Sequence, residues 1–328
     1  MRRPAWVALC SATVLVVLGL PFLGVRFVGV DASVLPTSSS ARQVNDTLRA
    51  RFAPGLDSPL HLAVRAVNPA PVVERIRRLP GVSRVAPPQR LGARLWAVDV
   101  APRAAAMSAQ TKQLVRQARR MPGVSVTGKT AWYLDTATSL SRRLPFALAL
   151  LALTTFALLF VVTGSFVLPA KALLMNVLGL AAAFGILVLV FQDGRLEGLL
   201  AYRSQGALEL TQPVLLFAIA FGLSTDYGVF LLSRIKEARD RGASDSEAVP
   251  FGLERTGRIV TAAALLFCVA VGAFATSGIL IVKELGVGIA LAVAIDASLV
   301  RALLVPSLMA LLGDWNWWAP PPFRRVRR

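Results

Sequence analysis

Residues 213–233 read PVLLFAIAFGLSTDYGVFLLS, a helix-length apolar run with a carboxylate and a phenol, Asp226 and Tyr227, side by side inside it. An Asp near the middle of a membrane helix costs roughly 2.5 to 3.5 kcal/mol on insertion scales, so such residues usually face a bundle interior and mark proton or ion pathways. The stretch therefore predicts a membrane-spanning helix with a working acid, and marks the chain as a candidate ion-coupled transporter.

Composition extends that reading outward. Hydrophobic residues make up 55% of the chain and mean hydropathy is +0.61, with the apolar residues gathered into blocks rather than spread as in a soluble domain. Six windows approach the length that a bilayer core demands: Ala5 to Val25, Pro145 to Val167, Ala172 to Phe191, Pro213 to Leu232, Ile259 to Leu280 and Leu285 to Val305. Six crossings put both termini on one side.

Short cytoplasmic loops collect Lys and Arg, which decides which side. Arg2 and Arg3 precede the first span, and Lys171 lies between the second and third. Arg234, Lys236, Arg239, Arg241, Arg255 and Arg258 flank the fourth and fifth, and Arg324, Arg325, Arg327 and Arg328 end the chain. One face holds them all if the N-terminus is cytoplasmic, and Trp315, Trp317 and Trp318 then fall at an interfacial aromatic belt. Both termini are expected inside. A secretory signal peptide is disfavoured for the first span, because Pro21-Phe22-Leu23 stands where a small-residue cleavage site is needed.

The net charge of +18 comes largely from these loops and from an Arg-rich segment between the first two spans. No basic face interleaved with aromatics accompanies it, so nucleic acid is not an expected partner; membrane lipids, through anionic headgroups, are. Cys10 and Cys268 both lie in spans and form neither a disulfide framework nor a metal spacing. With one histidine, no Ser/His/Asp set and no P-loop, nothing points to an enzyme or a cofactor.

The segment between the first two spans has the size of a folded domain. Its pattern alternates helix and strand: a helix from Ser39 to Phe52, a strand from Leu60 to Val67, a helix from Pro71 to Leu79, strands at Val82 to Val85 and Arg94 to Val100, a helix from Ser108 to Met121, and a strand at Val124 to Val126. Arg77-Arg78-Leu79-Pro80-Gly81-Val82-Ser83 and Arg119-Arg120-Met121-Pro122-Gly123-Val124-Ser125 echo one another, each closing a helix and opening a strand. Two such units predict a ferredoxin-like split βαβ sandwich. His61 falls on the exposed phase of its strand and reads as a surface residue. Tyr133 to Arg143 should form a helix that runs into the second span.

The expected fold is thus an α-helical membrane protein with six transmembrane helices plus an α+β ferredoxin-like extracytoplasmic domain of porter type. Residues 1–27 form the first helix, 28–143 the outer domain, and 144–312 a five-helix bundle with a cytoplasmic helix near 234–257. A basic cytoplasmic tail follows at 313–328. Ser244 and Glu247 carry the capping-box signature for that cytoplasmic helix, which Pro250 should kink or confine to its early turns.

On the helix of Asp226, Gly222 and Ala218 lie one and two turns back, with Thr225 beside them. Small residues permit close helix approach, so Asp226 is expected in a tight interhelical seam, with Tyr227 offering its hydroxyl to another helix; a purely structural hydrogen bond is the bland alternative. Asp296 in the sixth span is preceded on its face by Ala292 and Gly288, and reads equally as structural or functional. Arg301 lies five residues on, about 140 degrees round an α-helix, which argues against an ion pair and for snorkelling to the interface. Ser224 and Thr225 are possible supporting polar residues, and Asn176 reads as interhelical glue.

These residues carry a family resemblance. The runs Phe221-Gly222-Leu223-Ser224-Thr225-Asp226-Tyr227-Gly228, Arg255-Thr256-Gly257-Arg258 with Thr261, Leu285-Gly286-Val287-Gly288 with Asp296 and Arg301, and Trp315-Asn316-Trp317-Trp318 resemble the MMPL transporters of the resistance-nodulation-division superfamily. The resemblance reaches the outer domain at Leu35-Pro36 and Ser40-Ala41-Arg42. It implies proton-motive-force-driven export of lipids or other hydrophobic molecules across a bacterial cell membrane, with Asp226 and Tyr227 as the proton relay. Thr225, Gly228 and Pro250 depart from the family pattern, in which Met, an acid and a continuing helix residue are usual.

The family's members carry two six-span halves whose Asp-Tyr pairs face each other, and this chain resembles the second half alone. The resemblance then implies a half-transporter that pairs with a second half or with itself, symmetric pairing being a common way to complete a site. The alternative is a membrane scaffold, or a truncated inactive remnant, in which Asp226 serves only packing.

Overall fold

The computed structural model describes residues 3–51, 55 and 57–320. It divides into two compact units, one of residues 1–27 with 146–328, the other Val28–Pro145. Of the basic tail expected at 313–328, residues 321–328 with their four arginines lie outside the described residues, as do Arg2 and Phe52.

The first unit is helical for a physical reason. In lipid every backbone polar group needs an internal partner, and an α-helix supplies one within the segment. Among the described residues six helices are long and apolar enough to cross a membrane: Pro4–Gly24, Lys129–Thr163, Val167–Gln192, Gln212–Asp240, Glu247–Thr276 and Leu280–Trp317. They contain α1 (Pro4–Gly19), α5 (Lys129–Thr163), α6 (Val167–Leu187), α8 (Gln212–Asp240), α9 (Asp245–Gly272), and α10 (Leu280–Ile295) followed by α11 (Val305–Leu312). A short helix, α7 (Glu197–Leu200), lies between the third and fourth spans. Pro4 and Pro213 each stand in a first turn, where the missing N–H is an orphan in any case.

Two helices differ from expectation. The capping box of Ser244 and Glu247 is present, with Ser244 N donating to Glu247 Oε2 at 3.0 Å, but the helix it opens does not stop. It runs through Pro250 into the fifth span as one continuous helix, so among the described residues the helical segments near 234–257 are extensions of the fourth and fifth spans. Pro250 lies close enough to the start of α9 that one backbone bond is lost beside a terminus already short of partners. In the sixth span, Asp296–Leu304 is a π-helix rather than an α-helix. That change decides the geometry of the polar site.

The second unit contains α2 (Ser40–Arg51), α3 (Ala70–Arg77), α4 (Ala109–Arg119) and a sheet of five strands: β1 (Leu60–Arg65), β2 (Val82–Val85), β3 (Gln89–Gly92), β4 (Leu95–Pro102) and β5 (Val124–Thr127). The order is β2-β4-β1-β5, all antiparallel, with β3 pairing the first half of β4. Setting β3 aside, this is the βαββαβ ferredoxin-like order. β3 is the strand that sequence reading misses: Gln89-Arg90-Leu91-Gly92 has no inward face, and only pairing to β4 makes it a strand.

The core follows from the period-2 pattern of β1. Leu60, Leu62 and Val64 are buried against Val72, Val73 and Ile76 of α3 and Leu114, Val115 and Ala118 of α4, while His61 and Arg65 face away. The repeated Pro-Gly steps occupy equivalent corners. Gly81 and Gly123 have φ of 93° and 73°, left-handed conformations that favour glycine as a helix turns into a strand. His61 is a surface residue, and its Nδ1 sits 2.7 Å from Asp99 Oδ1, directly opposite in the β1/β4 register.

Candidate functional site

On α8, Ser224 and Tyr227 stand three residues apart and share a face, whereas Asp226 is turned about 200 degrees from Ser224. That offset separates the residues of the sequence motif into two sites. Ser224 points into the bundle, where its hydroxyl lies 2.8 Å from Asn176 Oδ1 on α6 and 2.8 Å from Asp296 Oδ1 in the sixth span. With one proton to give, it donates to one of these oxygens at a time.

Asp296 is then claimed from its other side. Arg301 Nη2 approaches Asp296 Oδ2 at 2.6 Å, with the side chains 8% and 15% exposed. The same nitrogen donates to the Ser224 carbonyl, and the guanidinium stacks over the Tyr227 ring at 5.3 Å from its centroid. Snorkelling of Arg301 is therefore incorrect. Five residues make a poor ion-pair spacing in an α-helix, but i→i+5 bonding widens each turn, so residues five apart face one another. Arg301 folds back into the protein instead of reaching for the interface.

The resulting site joins three spans through Asn176, Ser224, Tyr227, Asp296 and Arg301, which line one small cavity. Arg301 Nη1 is buried there without a hydrogen-bond partner among the described residues. A buried ion pair with one donor uncommitted is expensive to hold, and such groups in membrane helices mark function more often than packing.

Asp226 is elsewhere. It is exposed on the surface of this chain, in a stripe with Leu215, Ala218, Gly222 and Phe230. A Cβ placed on Gly222 would meet nothing within 4 Å, and Asp226 has no hydrogen-bond or ion-pair partner among the described residues. The tight seam expected around it is not formed within this chain: the small residues are present, but no described segment packs on them. Thr225 is not part of the inner network either, since its hydroxyl donates to Phe221 O of its own helix at 2.8 Å.

A second polar knot closes the other end of the sixth span. Lys171, read from sequence as a loop charge, is buried, and its Nζ donates to Asn316 Oδ1 at 2.7 Å. The Asn316 amide in turn donates to Met309 O and Gly313 O at 2.9 and 2.8 Å. Trp317 is buried beneath the Arg239 guanidinium rather than lying in a belt with Trp315, which is exposed.

Sequence reading placed Asn176 and Arg301 outside the site, although a signal for each exists. Asn176 is the lone amide in the third apolar run, and the five-residue interval from Asp296 to Arg301 matches a π turn.

The chain is 42% identical to a membrane protein of Streptomyces coelicolor over 99% of this chain and 46% of that one. It is 35% identical to the trehalose monomycolate exporter MmpL3 of Mycobacterium tuberculosis, over 100% of this chain and 37% of the exporter. It is also 35% identical to the heme uptake protein MmpL11 of the same organism, over 98% and 35%. The chain thus spans less than half the length of these relatives, and those two are named for transport rather than for an enzymatic reaction. Among solved structures it is similar to SecDF in its super-membrane-facing form, at 12% identity and a TM-score of 0.48, over 95% of this chain and 38% of that one. The model of the MMPL family matches residues 97–328, from the sheet of the second unit through every span after the first. A multi-pass membrane protein, the chain belongs to the MMPL family.

Proposed function

We propose that this chain is one six-helix half of a transporter that exports lipids or other hydrophobic molecules across a bacterial cell membrane, driven by the proton-motive force. Asp226 and Tyr227 are its proton relay. The observation that carries the reading is the position of Asp226: an acid in the middle of a span, on a stripe of small residues, facing out of its own bundle. Left against acyl chains it would cost roughly 2.5 to 3.5 kcal/mol. A second six-helix surface with a polar group at the same depth removes that cost, and Ala218 and Gly222 leave room for its close approach. The length of the relatives is consistent with such a second half, whether on the same polypeptide, on a separate chain or on another copy of this one.

In this scheme both termini are cytoplasmic and the second unit lies outside the membrane. Protonation of Asp226 breaks its bond to a facing tyrosine and lets the two bundles rock. The Asn176, Ser224, Asp296 and Arg301 network backs the same helix, tying the relay face of α8 to α6 and to the sixth span. One elementary charge falling through about 100 mV releases about 2.3 kcal/mol, so one or a few protons suffice per cycle. That the MmpL3 relative is a trehalose monomycolate exporter supports a lipid as the cargo.

The test is pH-gradient-driven export in proteoliposomes or cells by Asp226→Asn and Tyr227→Phe. Both variants should lose export while keeping their fold. Full activity in either removes the relay role.

A further inference from the structure

A buried acidic pair lies well away from Ser224, at the end of the bundle where α1 closes and α8 and α10 begin. Glu284, in the second turn of α10, is 3% exposed, and its Oε2 has no hydrogen-bond partner. Glu209, 6% exposed, lies close enough for the two charges to repel. One oxygen of Glu209 is fully engaged as the cap of α8: Oε2 accepts from Thr211 N at 2.9 Å, Thr211 Oγ1 at 2.7 Å and Gln212 N at 2.9 Å. Its other oxygen, Oε1, is buried and unpartnered.

The donors nearby are spent on backbone. Lys283, itself 4% exposed, turns its ammonium to the carbonyls of Leu200 and Ala201. Ala201 is a left-handed residue at φ 48°, so this contact holds a strained turn in place. The Gln212 amide donates to Ile281 O at 2.8 Å, and the Tyr202 hydroxyl donates to Val190 O. Glu209 and Tyr202 are titratable groups near Glu284, and neither Tyr202 nor the adjacent Lys283 bonds to it, their donors going to backbone carbonyls. Each of the two buried carboxyls keeps one oxygen without a partner among the described residues, and what such an oxygen lacks is a hydrogen. A protonated carboxyl supplies it, since its O–H donates where a carboxylate can only accept.

We propose that Glu284, with Glu209 near it, forms a proton-binding site, a proton being held on the buried carboxyl of Glu284 and exchanged with the aqueous phase at that end of the bundle. The proton enters from water, forms one O–H bond and leaves by the same route; nothing is oxidised or reduced. Glu284 and Asp296 stand twelve residues apart on the same span, about 18 Å along the helix and about 120 degrees round it. The interval is closed by side chains: a Cβ on Gly288 would collide with Leu216 and Leu187, which pack directly against that glycine. In this conformation the outer pair is loaded and insulated, with an apolar plug between it and Asp296.

What the proton is used for rests on the proton-driven reading above, but its presence does not, and the two are separable by experiment. The full chain in liposomes is followed by infrared difference spectroscopy in the carboxylic-acid C=O region during pH steps, with protons as the only probe. A band that shifts in D2O and titrates with pH is expected, lost in Glu284→Gln and retained in Asp296→Asn. Labelling of the unmutated chain with a hydrophobic carbodiimide, read by peptide mass mapping, guards against a variant that fails to fold; it should modify Glu284 and fade as pH rises. A band unchanged in Glu284→Gln, or no modification at Glu284, overturns the site. Loss of the band on adding sodium at constant pH overturns it in favour of a metal cation. An intact band in a chain that exports nothing leaves this site standing and sinks the transport reading alone.

Discussion

Arg301 Nη2 meets Asp296 Oδ2 at 2.6 Å although the two residues stand on the same span at a spacing that an α-helix would splay apart. The pair exists because the span changes its winding there, from α to π, over Asp296–Leu304. Long π segments are rare and concentrate at functional sites, since the poorer backbone geometry needs a compensating gain. Here the gain is a buried charge pair that also binds the α8 backbone at Ser224.

Removing one partner should cost more than removing both. Arg301→Met leaves Asp296 buried and unpaired, with a destabilisation of about 3 to 5 kcal/mol, whereas Asp296→Leu combined with Arg301→Met should lie near neutrality. Thermal unfolding of the purified variants in one detergent checks this. A single variant as stable as the double would show that the pair is not desolvated.

Ser224 and Thr225 are neighbours with opposite expectations. Ser224→Ala deprives the half-buried Asn176 and Asp296 oxygens of a shared hydroxyl, at about 1 to 3 kcal/mol. Thr225→Ala removes only a bond to its own helix, with an effect within about 0.5 kcal/mol. Parallel unfolding curves for the pair decide the ordering, and export should fall only in Ser224→Ala.

The second unit offers a test of its corners. At Gly123 a Cβ would lie 2.9 Å from the Arg65 carbonyl, an immovable backbone atom, while at Gly81 its nearest neighbour is the flexible Gln110 side chain at 3.3 Å. Both alanine variants carry the left-handed penalty of about 1 to 2 kcal/mol. Gly123→Ala should be the more damaging, as read by protease resistance of that unit.

Acid sensitivity should localise at Asp31. Burial pushes its carboxyl up, but the Ser33 hydrogen bonds and the Arg49 guanidinium, 2.8 Å away, outweigh burial and hold it below the usual carboxylate range. A lowered folded value means stabilisation that is complete above the unfolded value of about 3.9 and is lost as pH falls through the folded one. Protection of the Ser33 amide in hydrogen exchange should drop in that window, and Asp31→Asn should flatten the dependence.

Much of this was open to reading from residues alone. Apolar block length located six spans, although their ends shifted by up to sixteen residues, because helices such as α5 and α9 continue past the apolar block into polar sequence. The alternation of Leu60, Leu62 and Val64, with the two Pro-Gly corners, led to the right sheet. β3 escaped because an edge strand without an inward face has no pattern to betray it.

The sites divide along the same line. Sequence determined which residues carry charge inside the membrane, since Asp226, Asp296 and Arg301 stand out against any apolar background, and it determined the helical and strand periods that fold around them. Only the tertiary structure decided their partners. A change of winding brought Asp296 to Arg301, and helix rotation sent Ser224 inward and Asp226 outward. Both depend on angles of about 100 degrees per residue that accumulate along a helix, where one altered turn redirects every side chain beyond it.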